Sequence, residues 1–155
     1  MIRSAEPSDT DAVVELSVTS GMFGEDEAPF IAAMMADYFG GAADAGHRCL
    51  VDDTDGLQAV AYYQPKPAAD RVWDLTMIAV QPARQGHGLG TALLKHIEEG
   101  LRGDGQRLLL VETSGTPQYD RTRAFYLGCG YEEEARVRGY WADGDDLVLF
   151  RKALA

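Results

Sequence analysis

The chain has 155 residues, 46% of them hydrophobic and 25% charged, with a formal net charge of −11. This is the composition of one globular domain, residues 1–155, with enough apolar material for a core and no run near the ~20 residues that span a bilayer. The acidic balance excludes a nucleic-acid binder, which needs a basic face; it suits a cationic partner, or simply a solvated surface.

Ile2–Ala5 reads as a short strand. Pro7-Ser8-Asp9 then offers a turn and an N-cap to a helix carrying Val13, Val14, Leu16 and Val18. A second helix runs from about Glu27 to Phe39, with Phe30, Ile31, Met34, Met35 and Tyr38 at helical spacing, and Gly40-Gly41 stops it. Arg48–Val51 and Leu57–Gln64 read as strands joined by the acidic turn Asp52–Gly56, and Val72–Val80 as the fourth strand. A glycine-rich loop, Gln85–Thr91, leads into a helix over Thr91–Glu99. Arg107–Glu112 is apolar enough for a buried strand, and Tyr119–Leu127 is a helix ended by Gly128 and Gly130. Glu134–Arg138 and Leu147–Arg151 are the last strands, around a turn at Asp143-Gly144-Asp145. The order β-α-α-β-β-β-α-β-α-β-β predicts an α/β (α+β) domain with a mixed central sheet of six to seven strands and helices on both faces.

The loop Gln85-Gly86-His87-Gly88-Leu89-Gly90-Thr91 is the most informative stretch. A glycine-rich turn between a strand and a helix offers bare backbone N–H groups at the positive end of the helix dipole, a site for phosphate or pyrophosphate. A Walker A loop is excluded because no lysine follows Gly90, and the alternating glycines do not fit the Rossmann spacing. His87 either touches phosphate when protonated or is an exposed loop residue without a role.

Gln85, Gly88 and Gly90 fill in register the Gln/Arg-x-x-Gly-x-Gly/Ala motif of the GNAT superfamily of N-acetyltransferases, which the chain resembles. Ile78-Ala79-Val80 matches the end of that family's fourth strand, and Phe125-Tyr126 through Gly130-Tyr131 its second motif. The resemblance covers roughly residues 1–152 and includes some likeness to ribosomal-protein alanine acetyltransferases. It implies a sheet splayed between strands 4 and 5, with acetyl-CoA as cosubstrate in the gap. The pantetheine arm would pair with the main chain of Ile78, Ala79 and Val80. The N–H groups of the loop Gln85, Gly86, His87, Gly88, Leu89, Gly90 and Thr91 would hold the pyrophosphate.

Acetyl transfer to an amine asks for a base to remove the ammonium proton, donors for the oxyanion and an acid for the departing thiolate. The resemblance makes Tyr126 the acid; the alternative is a tyrosine packed on the core beside Phe125. Asp74 and Glu112 compete to be the base. Asp74 lies where some histone-type relatives carry a glutamate, and Glu112 ends the fifth strand as in the alanine acetyltransferases. Glu112 is favoured, because it closes an apolar run at a strand end; either carboxylate could instead be a polar strand-end residue. Many relatives carry an asparagine where this chain has Tyr119, so Ser114 or the backbone must replace that hydrogen bond.

The acidic region Met22–Tyr38, with Glu25, Asp26, Glu27 and Asp37, and the late loop Gly139–Asp146 are expected to wall the acceptor pocket. Tyr140 and Trp141 would line it, and Asp145 or Asp146 would anchor a cation, unless this is an ordinary acidic hairpin. His47 and His96 lack partners at metal spacing, so no metal is expected, and Cys49 and Cys129 read as free thiols. With no apolar leader at the N-terminus, the expected location is the cytoplasm. The expected function is acetyl transfer from acetyl-CoA to a primary amine on a small molecule. A protein α-amine or lysine, or a non-catalytic acyl-CoA sensor, are the alternatives; no nucleic acid or membrane is expected as partner, and a homodimer is possible.

Overall fold

The computed structural model describes residues 1–154. Its elements are β1 (Ile2–Ser4), α1 (Thr10–Thr19), α2 (Ala28–Asp37), β2 (Arg48–Asp52), β3 (Ala59–Pro65), β4 (Val72–Val80), α3 (Leu89–Gly103), β5 (Leu108–Ser114), α4 (Asp120–Gly128), β6 (Glu132–Ala142) and β7 (Asp145–Ala153). The order is the one expected. The strands form one seven-stranded mixed sheet in the order β1-β2-β3-β4-β5-β7-β6. Its one parallel pair among the registers is β4 with β5, joined by the crossover helix α3 as parallel neighbours require.

Two compact units divide the residues: Met1–Gln64 with Met77–Ile97, and Pro65–Thr76 with Glu98 onward. In the first, Val13 and Leu16 of α1, Ile31 and Met35 of α2, Cys49 and Val51 of β2, Val60 and Tyr62 of β3, and Met77 and Ala79 of β4 build one apolar cluster. The helical members recur at three- and four-residue spacing, which puts them on one stripe. Phe30 departs from expectation: it is 63% exposed while the adjacent Ile31 is fully buried. Successive helical residues point about 100° apart, so a stripe that takes Ile31 and Met35 turns Phe30 outward.

In the second unit Trp73 and Leu75 of β4, Leu109 and Val111 of β5, and Val148 and Phe150 of β7 are buried with Tyr126, Tyr131 and Leu101. A polar group lies among them. Glu98 of α3 accepts a hydrogen bond from the Tyr131 hydroxyl at 2.7 Å and an ion-paired one from Lys152 at 2.8 Å, and Lys152 also donates to the Cys129 carbonyl at 2.8 Å. Burial and the neighbouring Glu98 carboxylate raise the Tyr131 hydroxyl far above the ordinary phenol range.

Several boundaries differ from the sequence reading. Helix α2 ends at Asp37 and a five-residue π turn, Tyr38–Ala42, follows; Gly41, at φ 151°, is where the helical backbone breaks, at the glycine pair expected to stop it. Helix α3 starts at Leu89 and ends at Gly103, so Gly90 and Thr91 belong to its first turn. The late loop expected at Gly139–Asp146 is strand at both ends, and only Asp143-Gly144 turns the chain. The Asp146 carboxylate holds that hairpin together by accepting from the Gly139 N–H at 2.9 Å and from Arg136 at 3.0 Å.

Candidate functional site

The glycine loop lies in the first unit. After β4 the chain makes a tight turn, Pro82–Arg84, and residues 82–88 are exposed up to the start of α3. Gly86 and Gly88 take φ values of 79° and 83°, and a Cβ on either would meet nothing within 4 Å. Their glycine character therefore serves the left-handed backbone and leaves the surface above it open. The Gly88 carbonyl accepts from the Ala92 N–H at 2.9 Å. Gly88 is thus the cap of α3, and the N–H groups of Leu89 and Gly90 open the helix at its positive end. With the helix dipole behind them, such groups are suited to an anion. The Gln85 amide donates to the Val80 carbonyl at 3.0 Å and reaches the Ser20 carbonyl at 3.5 Å, so it ties the loop to β4 and to the end of α1. His87 is exposed. Ile78 and Ala79 are buried and Val80 half-buried.

The three titratable candidates all lie in the second unit. The parallel register pairs Val72 with Leu108 through Leu75 with Val111, so Asp74 stands beside Leu110. Side chains alternate along a strand, which places Asp74, Thr76 and, two residues beyond Leu110, Glu112 on the same face. Asp74 is 8% exposed, Glu112 half-buried and Thr76 exposed. Thr76 donates to one Asp74 oxygen at 3.3 Å, while the other, Oδ1, is buried with no hydrogen-bond partner. Burial raises the Asp74 carboxyl above its ordinary range; the Lys66 ammonium opposes this and the Glu112 charge adds to it.

Tyr126 of α4 is buried, its ring against Phe125, Tyr131 and Phe150 at centroid distances of 5.2, 5.7 and 5.7 Å. Burial, with Cys129 and Asp74 nearby, raises its hydroxyl well above the ordinary phenol range, so the phenol holds its proton at neutral pH. Phe125, next to it, is only half-buried.

The stretch after β5 is tied down by side chains that the sequence reading named only in part. Ser114 donates to Asp145, and its Oγ also accepts from the Thr116 N–H at 3.1 Å. Arg123 of α4 donates to the Ser114 and Thr116 carbonyls at 2.6 and 2.9 Å and pairs with Asp120. Tyr119 occupies the cap position of α4. Trp141 donates its indole N–H to the Thr113 carbonyl at 3.1 Å, yet Trp141 and Tyr140 stay about half exposed, ring to ring at 4.7 Å. Arg123 and Lys66 are the contributors that the sequence did not reveal: neither belongs to a motif, and the role of each comes from what it faces. In the first unit Glu25, Asp26 and Glu27 form an exposed turn before α2. Among the described residues no group of three or more His, Cys, Asp or Glu side chains is placed to hold a metal ion. No helix among them is long and apolar enough to cross a membrane.

A family model described as the acetyltransferase (GNAT) domain matches residues 45–133. The chain is also similar to a crystal structure of a GNAT-family protein from Desulfovibrio desulfuricans, at 33% identity and TM-score 0.93, covering 100% of this chain and 99% of that one. The ribosomal-protein-S18-alanine N-acetyltransferase of Escherichia coli has the same fold at 23% identity and TM-score 0.76, covering 100% and 94%. So does an aminoglycoside 6'-N-acetyltransferase solved with coenzyme A, at 16% identity and TM-score 0.77, covering 100% and 97%. No curated protein matches. The mixed sheet, with a glycine loop opening its crossover helix, is thus the architecture of an acetyl-CoA-dependent N-acetyltransferase. The chain belongs to the GNAT acetyltransferase family.

Proposed function

We propose that this single catalytic domain transfers the acetyl group of acetyl-CoA to a primary amine carried by a small cationic molecule. The observation that carries the reading is the loop Gln85–Thr91, which sets two left-handed glycines and the first turn of a 15-residue helix at the end of β4. Its N–H groups hold the pyrophosphate, and the main chain of Ile78, Ala79 and Val80 pairs with the pantetheine arm. The register with β5, which covers only the first half of β4, supports that pairing.

The amine nitrogen attacks the thioester carbonyl, the C–S bond breaks, and two protons must be placed. Glu112 takes the amine's proton: it is half-buried and reachable from solvent, whereas Asp74 is buried, which raises its carboxyl above the ordinary range. Tyr126, with its proton in place at neutral pH, gives it to the departing thiolate. A strongly acidic chain, at −11 net charge, favours a cationic acceptor, which we take to be a small molecule. Cys49 and Cys129 form no disulfide, in keeping with a reducing cytoplasm.

The test is CoA release from acetyl-CoA across polyamines, amino acids, aminoglycosides and basic peptides. Release confined to small amines supports the proposal. Release with the peptides alone reassigns the enzyme to protein α-amines or lysines. Acetyl-CoA binding with no acceptor-dependent release favours the sensor reading and removes catalysis.

A further inference from the structure

Arg123 stands where a cation is out of place. It is the fourth residue of α4, in the first turn, where the helix dipole repels positive charge, and its side chain is only 16% exposed. Three acceptors offset that cost. The guanidinium donates from Nη1 to the Ser114 carbonyl at 2.6 Å and to the Thr116 carbonyl at 2.9 Å, and it pairs through Nη2 with Asp120. Ser114 is the last residue of β5, so these bonds tie the end of a strand to the start of a helix. The strand end calls for such a tie. Its register with β4 stops at Val111, and from Glu112 to Ser114 it is paired with β7. Two further bonds converge there: Trp141 donates to the Thr113 carbonyl at 3.1 Å, and the Gly115 N–H donates to the Asp146 carbonyl at 2.9 Å. Those two fasten the strand end to the hairpin of β6 and β7, and Arg123 fastens it to α4.

We propose that Arg123 is a positioning residue for acetyl transfer, holding the strand end that carries Glu112 and the helical turn that carries Tyr126 at one fixed spacing. This rests on the acetyl-transfer reading, with Glu112 as base and Tyr126 as acid. Glu112 lies two residues before Ser114, on the same face of β5. Tyr126 lies three residues after Arg123, and side chains three apart are neighbours on a helix. The guanidinium is thus one short step of chain from each. The reaction forms the N–C bond and breaks the C–S bond; the amine's proton goes to Glu112 and the phenol's proton to the thiolate. Both transfers serve one tetrahedral centre, so an error of about 1 Å in the spacing costs about 100-fold in rate. A guanidinium suits the task because its N–H groups form a rigid planar fork, which sets the distance between the groups it joins. Arg123 acts only through these two residues.

The test is Arg123→Ala, with CoA release followed well below the melting temperature. The expected result is a kcat lowered about 100-fold, with KM for acetyl-CoA and for the amine nearly unchanged. Guanidinium chloride far below denaturing concentration should then recover roughly tenfold in kcat, and sodium chloride at the same concentration nothing. A kcat within a few-fold of wild type, or a loss that guanidinium does not repair, overturns the proposal. If Arg123→Ala does not fold, Arg123→Lys keeps the charge without the fork and should lower kcat roughly tenfold at unchanged melting temperature. Wild-type kcat in that variant also overturns it. A second readout needs no turnover: NMR of the full chain with ring-labelled tyrosine, the Tyr126 signal being identified by its loss in Tyr126→Phe. Arg123→Lys should shift or broaden that signal, and an unmoved signal overturns the proposal. Absence of release with every amine would remove the acetyl-transfer reading, and the tyrosine signal would still decide whether Arg123 holds Tyr126.

Discussion

Replacing Lys152 by methionine tests how the second unit is held together. The substitution keeps the length and apolar stem of the side chain but removes the ammonium that donates to Glu98 at 2.8 Å and to the Cys129 carbonyl at 2.8 Å. Glu98 is left with the Tyr131 hydroxyl alone, on a side chain only 6% exposed. Breaking a buried pair by removing one partner costs about 3–5 kcal/mol, because the remaining charge stays desolvated. The Lys152 side chain is 25% exposed, so water can reach the vacated position, and the low end, about 3 kcal/mol, is expected. With an m-value of about 2 kcal/mol/M, the urea midpoint should fall by about 1.5 M at unchanged slope. Adding Glu98→Gln removes the stranded charge and leaves an oxygen for Tyr131. The double variant should therefore recover about 1–2 kcal/mol relative to Lys152→Met alone. A loss under about 1 kcal/mol for Lys152→Met, or two substitutions whose costs simply add, would refute this reasoning.

Other substitutions read the site itself. Tyr126→Phe keeps the ring in its cage of Phe125, Tyr131 and Phe150 and should lower kcat about 100-fold with an unchanged melting temperature; turnover within a few-fold of wild type would take the acid role from Tyr126. Gly88→Ala meets no neighbour but must hold φ 83°, at a cost of about 1–2 kcal/mol, so stability and calorimetric acetyl-CoA affinity should fall together; unchanged affinity would move the pyrophosphate elsewhere. Asp74→Asn should melt higher than wild type at neutral pH. The Asp74 proton is held more tightly in the folded state, so wild-type stability is full below the ordinary carboxylate range and drops as pH rises through the folded midpoint. The gap in melting temperature should therefore close as pH falls toward about 4, and a gap independent of pH would show that ionisation is not its cause.

How much of this was legible in the sequence depended on how local each signal was. The span of β4 could be read at both ends, because its apolar residues, interrupted only by Asp74 and Thr76, lie between the Pro65-Lys66-Pro67 break and Pro82. The order of elements followed from periodicity in the same way. The start of α3 was hidden because Gly88 and Gly90 read as loop, although a helix tolerates glycine in its first turn. The hairpin of β6 and β7 was read short because every residue of β6 is exposed, so no alternation marks its length. Glu98 and Glu99 look alike in sequence; that Glu98 alone is buried depends on Tyr131 and Lys152, which lie far along the chain. The same holds for Asp74: its residue type and strand were plain, but its orphaned oxygen is a property of what surrounds it.

Strand β6 ends the sheet with 11 residues, all of them exposed. It is fastened by main-chain bonds to β7 and buries no side chain of its own, so most of its positions can drift at small cost to the fold. Its constraint is social. An outer strand offers an open row of N–H and C=O groups to any other chain in solution, and here Val137, Tyr140 and Trp141 add exposed apolar surface. Glu132, Glu133 and Glu134, with ladder irregularities at Glu133/Ala135 and Val137/Ala142, are features that disfavour edge-to-edge pairing. Neutralising those three glutamates would leave the enzyme folded and make it sticky.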